Sequence, residues 1–284
     1  MLFVITFIIP IIAQTPFDNS ADNETKFDEF ETTSDWLTTT SLPRTPSSIY
    51  STAVARGEAV VEDFIERYQT TKHVDLIFVV DRSGSVPSKG WGAITNFIRD
   101  ILQHFTVDQN NTRVAIVTYS SVASVDVNDL EPHYLNNQEN KCTLNRRIRN
   151  IIEPKIPYGY TSTYSALDKV YEIIQDARTD SKKAVLVLTD GRSNVGPPPV
   201  RAAFNILSLQ WDPTWDEAMY GPQVEIYAFG IENAYEPELH SIASSLPNHT
   251  FFIPSFEAFE GFARSLHGGK ITPFQWRVTR MKVL

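Results

Sequence analysis

The sequence predicts a doubly wound α/β fold: a mostly parallel sheet with one short antiparallel edge strand and helices on both faces. Three observations carry the prediction. Apolar runs rich in Val and Ile recur at 74–80, 112–119, 183–188 and 224–229, as expected of strands covered on both sides. Segments with apolar residues at three- and four-residue steps lie between these runs, so strand and helix alternate. The first and third runs end in an acid that opens a polar loop, and ligands bind at that end of the strands in open α/β sheets.

The elements follow in chain order. Residues 1–13, MLFVITFIIPIIA, are apolar and short for a bilayer span. Small and polar residues follow, the shape of a signal peptide cleaved after Ala13, although no basic residue stands near Met1. Residues 14–52 are rich in Thr, Ser, Asp, Glu and Pro without an apolar period, which predicts a disordered acidic linker. From 53 to about 72 a helical stripe appears at Val60, Val61, Phe64, Ile65 and Tyr68. This leading helix is expected to pack on the domain at 73–268.

Within the domain, VDLIFVVD (74–81) is the first strand, and Trp91 to Phe105 the helix after its loop. TRVAIVTY (112–119) is the second strand, and 121–127 its short antiparallel partner. A short helix is expected from Cys142 to Ile152, a loop at YGYTST (158–163), and a helix from Tyr164 to Ala177. The strand KAVLVL ends in Thr189-Asp190-Gly191. A helix is expected from Val200 to Leu209, a strand at 224–229, a helix at 236–246, a strand at 249–253 and a closing helix at 256–266. The aromatic stretch with Trp211 and Trp215 reads as an insertion, either a partner surface or a segment folded back on the domain. Residues 269–284 read as a tail.

Strand ends collect the candidate chemistry. Asp81, Ser83 and Ser85 stand at alternate positions in the first loop, Asp190 ends another strand, and Thr161 lies in a loop before a helix. Two carboxylates and three hydroxyls are hard oxygen donors, suited to Mg²⁺, with Mn²⁺ or Ca²⁺ as alternatives. Neutral hydroxyls leave such an ion short of negative charge, so it would attract a carboxylate from a partner. The bland use of the same residues is a capped loop, with Ser85 or Ser88 as helix N-cap.

Asp81-x-Ser83-x-Ser85 after an apolar strand, then Thr161, then Asp190 in TDG, resembles the von Willebrand factor type A domain over about residues 74–267. The resemblance implies a Rossmann-like fold and a metal-ion-dependent adhesion site (MIDAS) built from Asp81, Ser83, Ser85, Thr161 and Asp190. It also implies an extracellular adhesion or matrix role.

Other classes fit less well. The net charge of -9 argues against a nucleic-acid partner. An enzyme is not expected: the alternative, a metal-dependent phosphoester hydrolase, lacks a His at the strand ends near Asp81 or Asp190. A third reading is a structural module whose metal only stabilises the fold. Sequons at Asn23, Asn110 and Asn248 fit a secreted, glycosylated chain with no membrane span once mature. Cys142 is the single cysteine, so no intrachain disulfide forms. It is expected to be a small buried hydrophobe or, in a secreted chain, a bridge between chains. The expected partner is an extracellular protein offering an Asp or Glu.

Overall fold

The computed structural model describes residues 46–130, 141–209, 222–245 and 248–268, with the side chains of 46–54 and 265–268 left aside. All lie in one unit, Pro43–Leu284. The expected signal peptide, most of the linker, Asn23, Trp211, Trp215 and the tail fall outside the described residues.

The order is α1 (Pro46–Gln69), β1 (Val74–Asp81), α2 (Ser88–Gln103), β2 (Thr112–Tyr119), β3 (Ala123–Asn128), α3 (Lys141–Arg147) with a π-helical turn (Ile148–Ile152), and α4 (Thr163–Gln175). There follow β4 (Lys182–Thr189), α5 (Val200–Leu207), β5 (Val224–Ile231), α6 (Glu236–Ile242), β6 (Thr250–Ile253) and α7 (Phe256–Gly268). The six strands run β3-β2-β1-β4-β5-β6. Only β3 is antiparallel, paired at the edge with β2. Every strand read from the sequence is present, and the fold class is the expected one.

The sheet is buried on both faces because its apolar runs have no polar side. On β1, Leu76, Phe78 and Val80 join the core beneath α1, α2 and α7, while Ile77 and Val79 join the one beneath α4, α5 and α6. Each such side chain contributes about 1.5–3 kcal/mol on leaving water. The one charged residue inside the run, Asp75, is fully buried and answered by Arg178 at 2.9 Å and by the Ser181 hydroxyl.

Three expectations change. The leading helix starts at Pro46, inside the stretch read as linker. Proline suits a first helical position because the N–H it lacks would go unbonded there anyway. Tyr68 then ties α1 to the sheet by donating to Glu225 Oε2 at 3.0 Å. Neither Ser85 nor Ser88 caps α2: the cap position is Pro87, with no side-chain hydrogen bond. Cys142 is exposed, not a buried hydrophobe; the face of α3 that packs inward presents Leu144 instead.

Candidate metal centre

The chain order of the strands reverses between β1 and β4, which both continue outward from the middle of the sheet. A crevice forms at such a switch point, outside the carboxyl ends of the strands. Asp81 ends β1, and Asp190 follows the last residue of β4. The parallel register pairs Val80 with Leu188, so the two acids leave the sheet side by side.

Asp81 is fully buried and held at both oxygens. Its Oδ1 accepts from the Ser83 backbone N–H at 2.8 Å, and its Oδ2 from the Thr189 hydroxyl at 2.7 Å. Burial raises its pKa, and these hydrogen bonds resist the rise. Ser83 and Ser85 stand hydroxyl to hydroxyl at 3.0 Å. The Ser85 hydroxyl donates to Asp190 Oδ1 at 2.8 Å. Asp190 is pushed up to about 6, by burial first and by the charge of Asp81 second.

Thr161 comes from the loop before α4. Its N–H donates to Asn194 Oδ1 at 2.9 Å, and its carbonyl accepts from the Asn194 N–H at 2.8 Å. Among the described residues its own hydroxyl has no hydrogen-bond partner. That hydroxyl and the one on Ser85 converge beside Gly191: a methyl added there would stand 3.8 Å from Ser85 Oγ and 3.9 Å from Thr161 Oγ1. All five residues singled out in the sequence therefore meet at one place.

The donor set fits a hard divalent cation. It is all oxygen, carries two buried carboxylates that repel one another, and includes the Thr161 hydroxyl, unengaged among the described residues. Among the described residues no cluster of three or more His, Cys, Asp or Glu is placed to hold a metal. A soft or nitrogen-rich centre is therefore not built into them.

Sequence reasoning missed the supports. Thr189 orients Asp81, and Asn194 pins Thr161. Glu238 Oε1 accepts from the Ser193 N–H at 3.0 Å and steadies the same loop. Asn194 lies four residues past Asp190 with no spacing rule to announce it; only the fold brings it to Thr161.

Fold and site together define a class: a doubly wound α/β domain with a hydroxyl-and-carboxylate cluster at its switch point. The model of the von Willebrand factor type A domain matches residues 75–265, and the chain belongs to that family. It is similar to the Sushi, von Willebrand factor type A, EGF and pentraxin domain-containing protein 1 of Rattus norvegicus, 34% identical over 210 residues. That match covers 70% of this chain and 5% of the relative, so the chain spans only a small part of that protein's length. Matrilin-1 of Gallus gallus is 26% identical over 198 residues, covering 68% of this chain and 35% of matrilin-1. Among solved structures, proximal thread matrix protein 1 from the mussel byssus, described with a zinc-occupied MIDAS motif, shares the fold. Its TM-score is 0.52 at 21% identity, covering 69% of this chain and 47% of that one.

Proposed function

We propose that this is a secreted adhesion module that grips an acidic residue of a matrix or cell-surface protein. In this reading Asp81, Ser83, Ser85, Thr161 and Asp190 hold the ion, Mg²⁺ first and Mn²⁺ or Ca²⁺ as alternatives. The convergence of the Ser85 and Thr161 hydroxyls beside Gly191, with Asp190 within hydrogen-bonding distance of Ser85, is the observation that carries it.

A bound divalent cation supplies Lewis-acid charge that can accept an outside carboxylate. The chain's own residues determine whether that charge is left over. Ser83, Ser85 and Thr161 donate neutral oxygens, which quench little of it. Asp81 is already committed to Thr189 and to the Ser83 N–H, so it serves as an outer anchor. Asn194 keeps Thr161 turned to the site through both backbone groups. In this reading the ion serves to bind a carboxylate rather than to turn over a substrate.

The matrix relatives support an extracellular setting. None of the described helices is long and apolar enough to cross a membrane. We place the type A domain at 73–268, entered through the leading helix, with glycans at Asn110 and Asn248, both exposed. The test is capture of partners from solubilised extracellular matrix on the immobilised full chain, with Mg²⁺ or with chelator. Partners that elute with chelator and are not retained by Asp81→Ala support the proposal. Capture indifferent to both rejects it.

A further inference from the structure

The site's edge has an uneven rim: among the described residues the buried cation of Arg82 meets an aromatic ring and no acid. Arg82 lies between the site residues Asp81 and Ser83. It is only 9% exposed. Its Nε is enclosed without a hydrogen-bond partner, and its guanidinium makes no ion pair among the described residues. Its contact is with an aromatic face: the guanidinium carbon stands 4.9 Å from the centre of the Tyr158 ring. A buried polar group left without a partner is costly, and a charged one more so. In a chain of net charge -9 an acid for Arg82 would be easy to supply, yet among the described residues none pairs with it.

The described residues above Arg82 present aromatic and apolar side chains. Tyr158 is 60% exposed, Tyr160 66% and Val122 68%. No charged residue occurs in 156–163 or 120–125. These loops are fastened to the metal loop. The Tyr158 N–H donates to the Arg82 carbonyl at 2.9 Å and the Gly84 N–H to the Gly159 carbonyl at 3.0 Å. The Tyr160 N–H donates to Ser121 Oγ at 3.0 Å.

We infer that Arg82, Val122, Tyr158 and Tyr160 form a specificity rim for one kind of partner. The partner is a protein segment in which a large apolar side chain stands within two residues of the gripped acid. The apolar side chain lies on Tyr158, Tyr160 and Val122. The outer N–H groups of the Arg82 guanidinium, beyond the enclosed Nε, take a second acceptor of the same segment, a carbonyl or carboxylate. This rests on the adhesion reading above and adds the chemistry of the neighbouring residues.

The test uses the full chain and immobilised synthetic peptides in matched pairs. Each carries a single Glu, flanked either by Phe and Leu or by two Ser, at equal net charge. In Mg²⁺ the Phe and Leu peptides are expected to bind about tenfold more tightly, the worth of one apolar contact. A Tyr158→Ser, Tyr160→Ser double variant is expected to lose that preference while keeping its melting-temperature rise with Mg²⁺. Arg82→Gln is expected to weaken the Phe and Leu peptides several-fold. Equal binding of the two sets, or a preference untouched by the double variant or by chelator, overturns the rim and leaves the metal site standing. Absence of binding by every Glu peptide in Mg²⁺ overturns the rim and the adhesion reading together.

Discussion

Ser85 and Asp190, 105 positions apart in the chain, are joined by a hydrogen bond of 2.8 Å across the switch point of the sheet. Through it the serine loop after β1 and the acid after β4 become one site. Without a cation this bond is also what restrains the Asp190 carboxyl, which burial and Asp81 drive upward.

The cation should stabilise the fold by binding it in preference to the unfolded chain. At about a hundred times its Kd, Mg²⁺ adds about 2.7 kcal/mol, or about 5–10 °C in melting temperature for a domain of this size. Asp190→Ala should abolish that rise, and Ser85→Ala should cut it by more than half. Thermal unfolding across a Mg²⁺ titration measures both. A variant that melts with the same Mg²⁺ response as the parent removes its residue from the site.

Two glycines on α2 should respond in opposite senses to the same substitution. A methyl at Gly92 meets nothing within 4 Å, so Gly92→Ala should stabilise by about 0.5–1 kcal/mol through helix propensity alone. A methyl at Gly90 would run into the buried ring of Phe256 on α7. Gly90→Ala should therefore destabilise by about 1–3 kcal/mol despite the better helix former. Urea unfolding of the two variants checks the sign of each.

Glu225 sets an acid limit on stability. It is fully buried at the start of β5. Burial pushes its carboxyl up, but hydrogen bonds from His249, Tyr227 and Lys182 outweigh that and hold it far below the usual carboxylate range. A group lowered in the folded state contributes stability above its unfolded value of 4.5, and that contribution fades as pH falls further. Glu225→Gln should cost about 3–5 kcal/mol near neutrality, because it leaves Lys182 buried without its carboxylate. It should also flatten the decline of stability below pH 4.5, read from urea unfolding at a series of pH values.

The glycans are expected at the pole away from the metal. Asn110 precedes β2 and Asn248 precedes β6, both at the amino ends of parallel strands, whereas the site lies at the carboxyl ends. Material secreted from eukaryotic cells should lose one mass step with Asn110→Gln and one with Asn248→Gly. Glycine is chosen at 248 because the backbone there has φ of 65°, a conformation it adopts without strain. The Mg²⁺ response should be unchanged in both variants. A loss of that response would place a glycan against the site.

Much of this was legible in the residues themselves. Unbroken apolar runs declare parallel strands, since only a strand covered on both faces needs no polar side. The five candidate ligands were legible because each sits at a strand end or loop whose place in a doubly wound sheet is implied by order alone. Helix limits were less so: Pro46 begins a helix inside a polar stretch, because the burial of Tyr68 and its neighbours supports a helix whose first turns carry no apolar period.

What sequence by itself determined, then, is the presence of the sheet, the chain order of its strands and helices, and which oxygen-bearing residues are candidate donors. These depend on periodicity and on residues close in the chain. Tertiary structure alone decided how the donors are supported and what surrounds them. Asn194 on Thr161, Glu225 beneath Tyr68, and Arg82 under Tyr158 are pairings between loops or elements whose spacing carries no period. Their energies come from burial and from distances of a few ångströms, which exist only once the chain has closed.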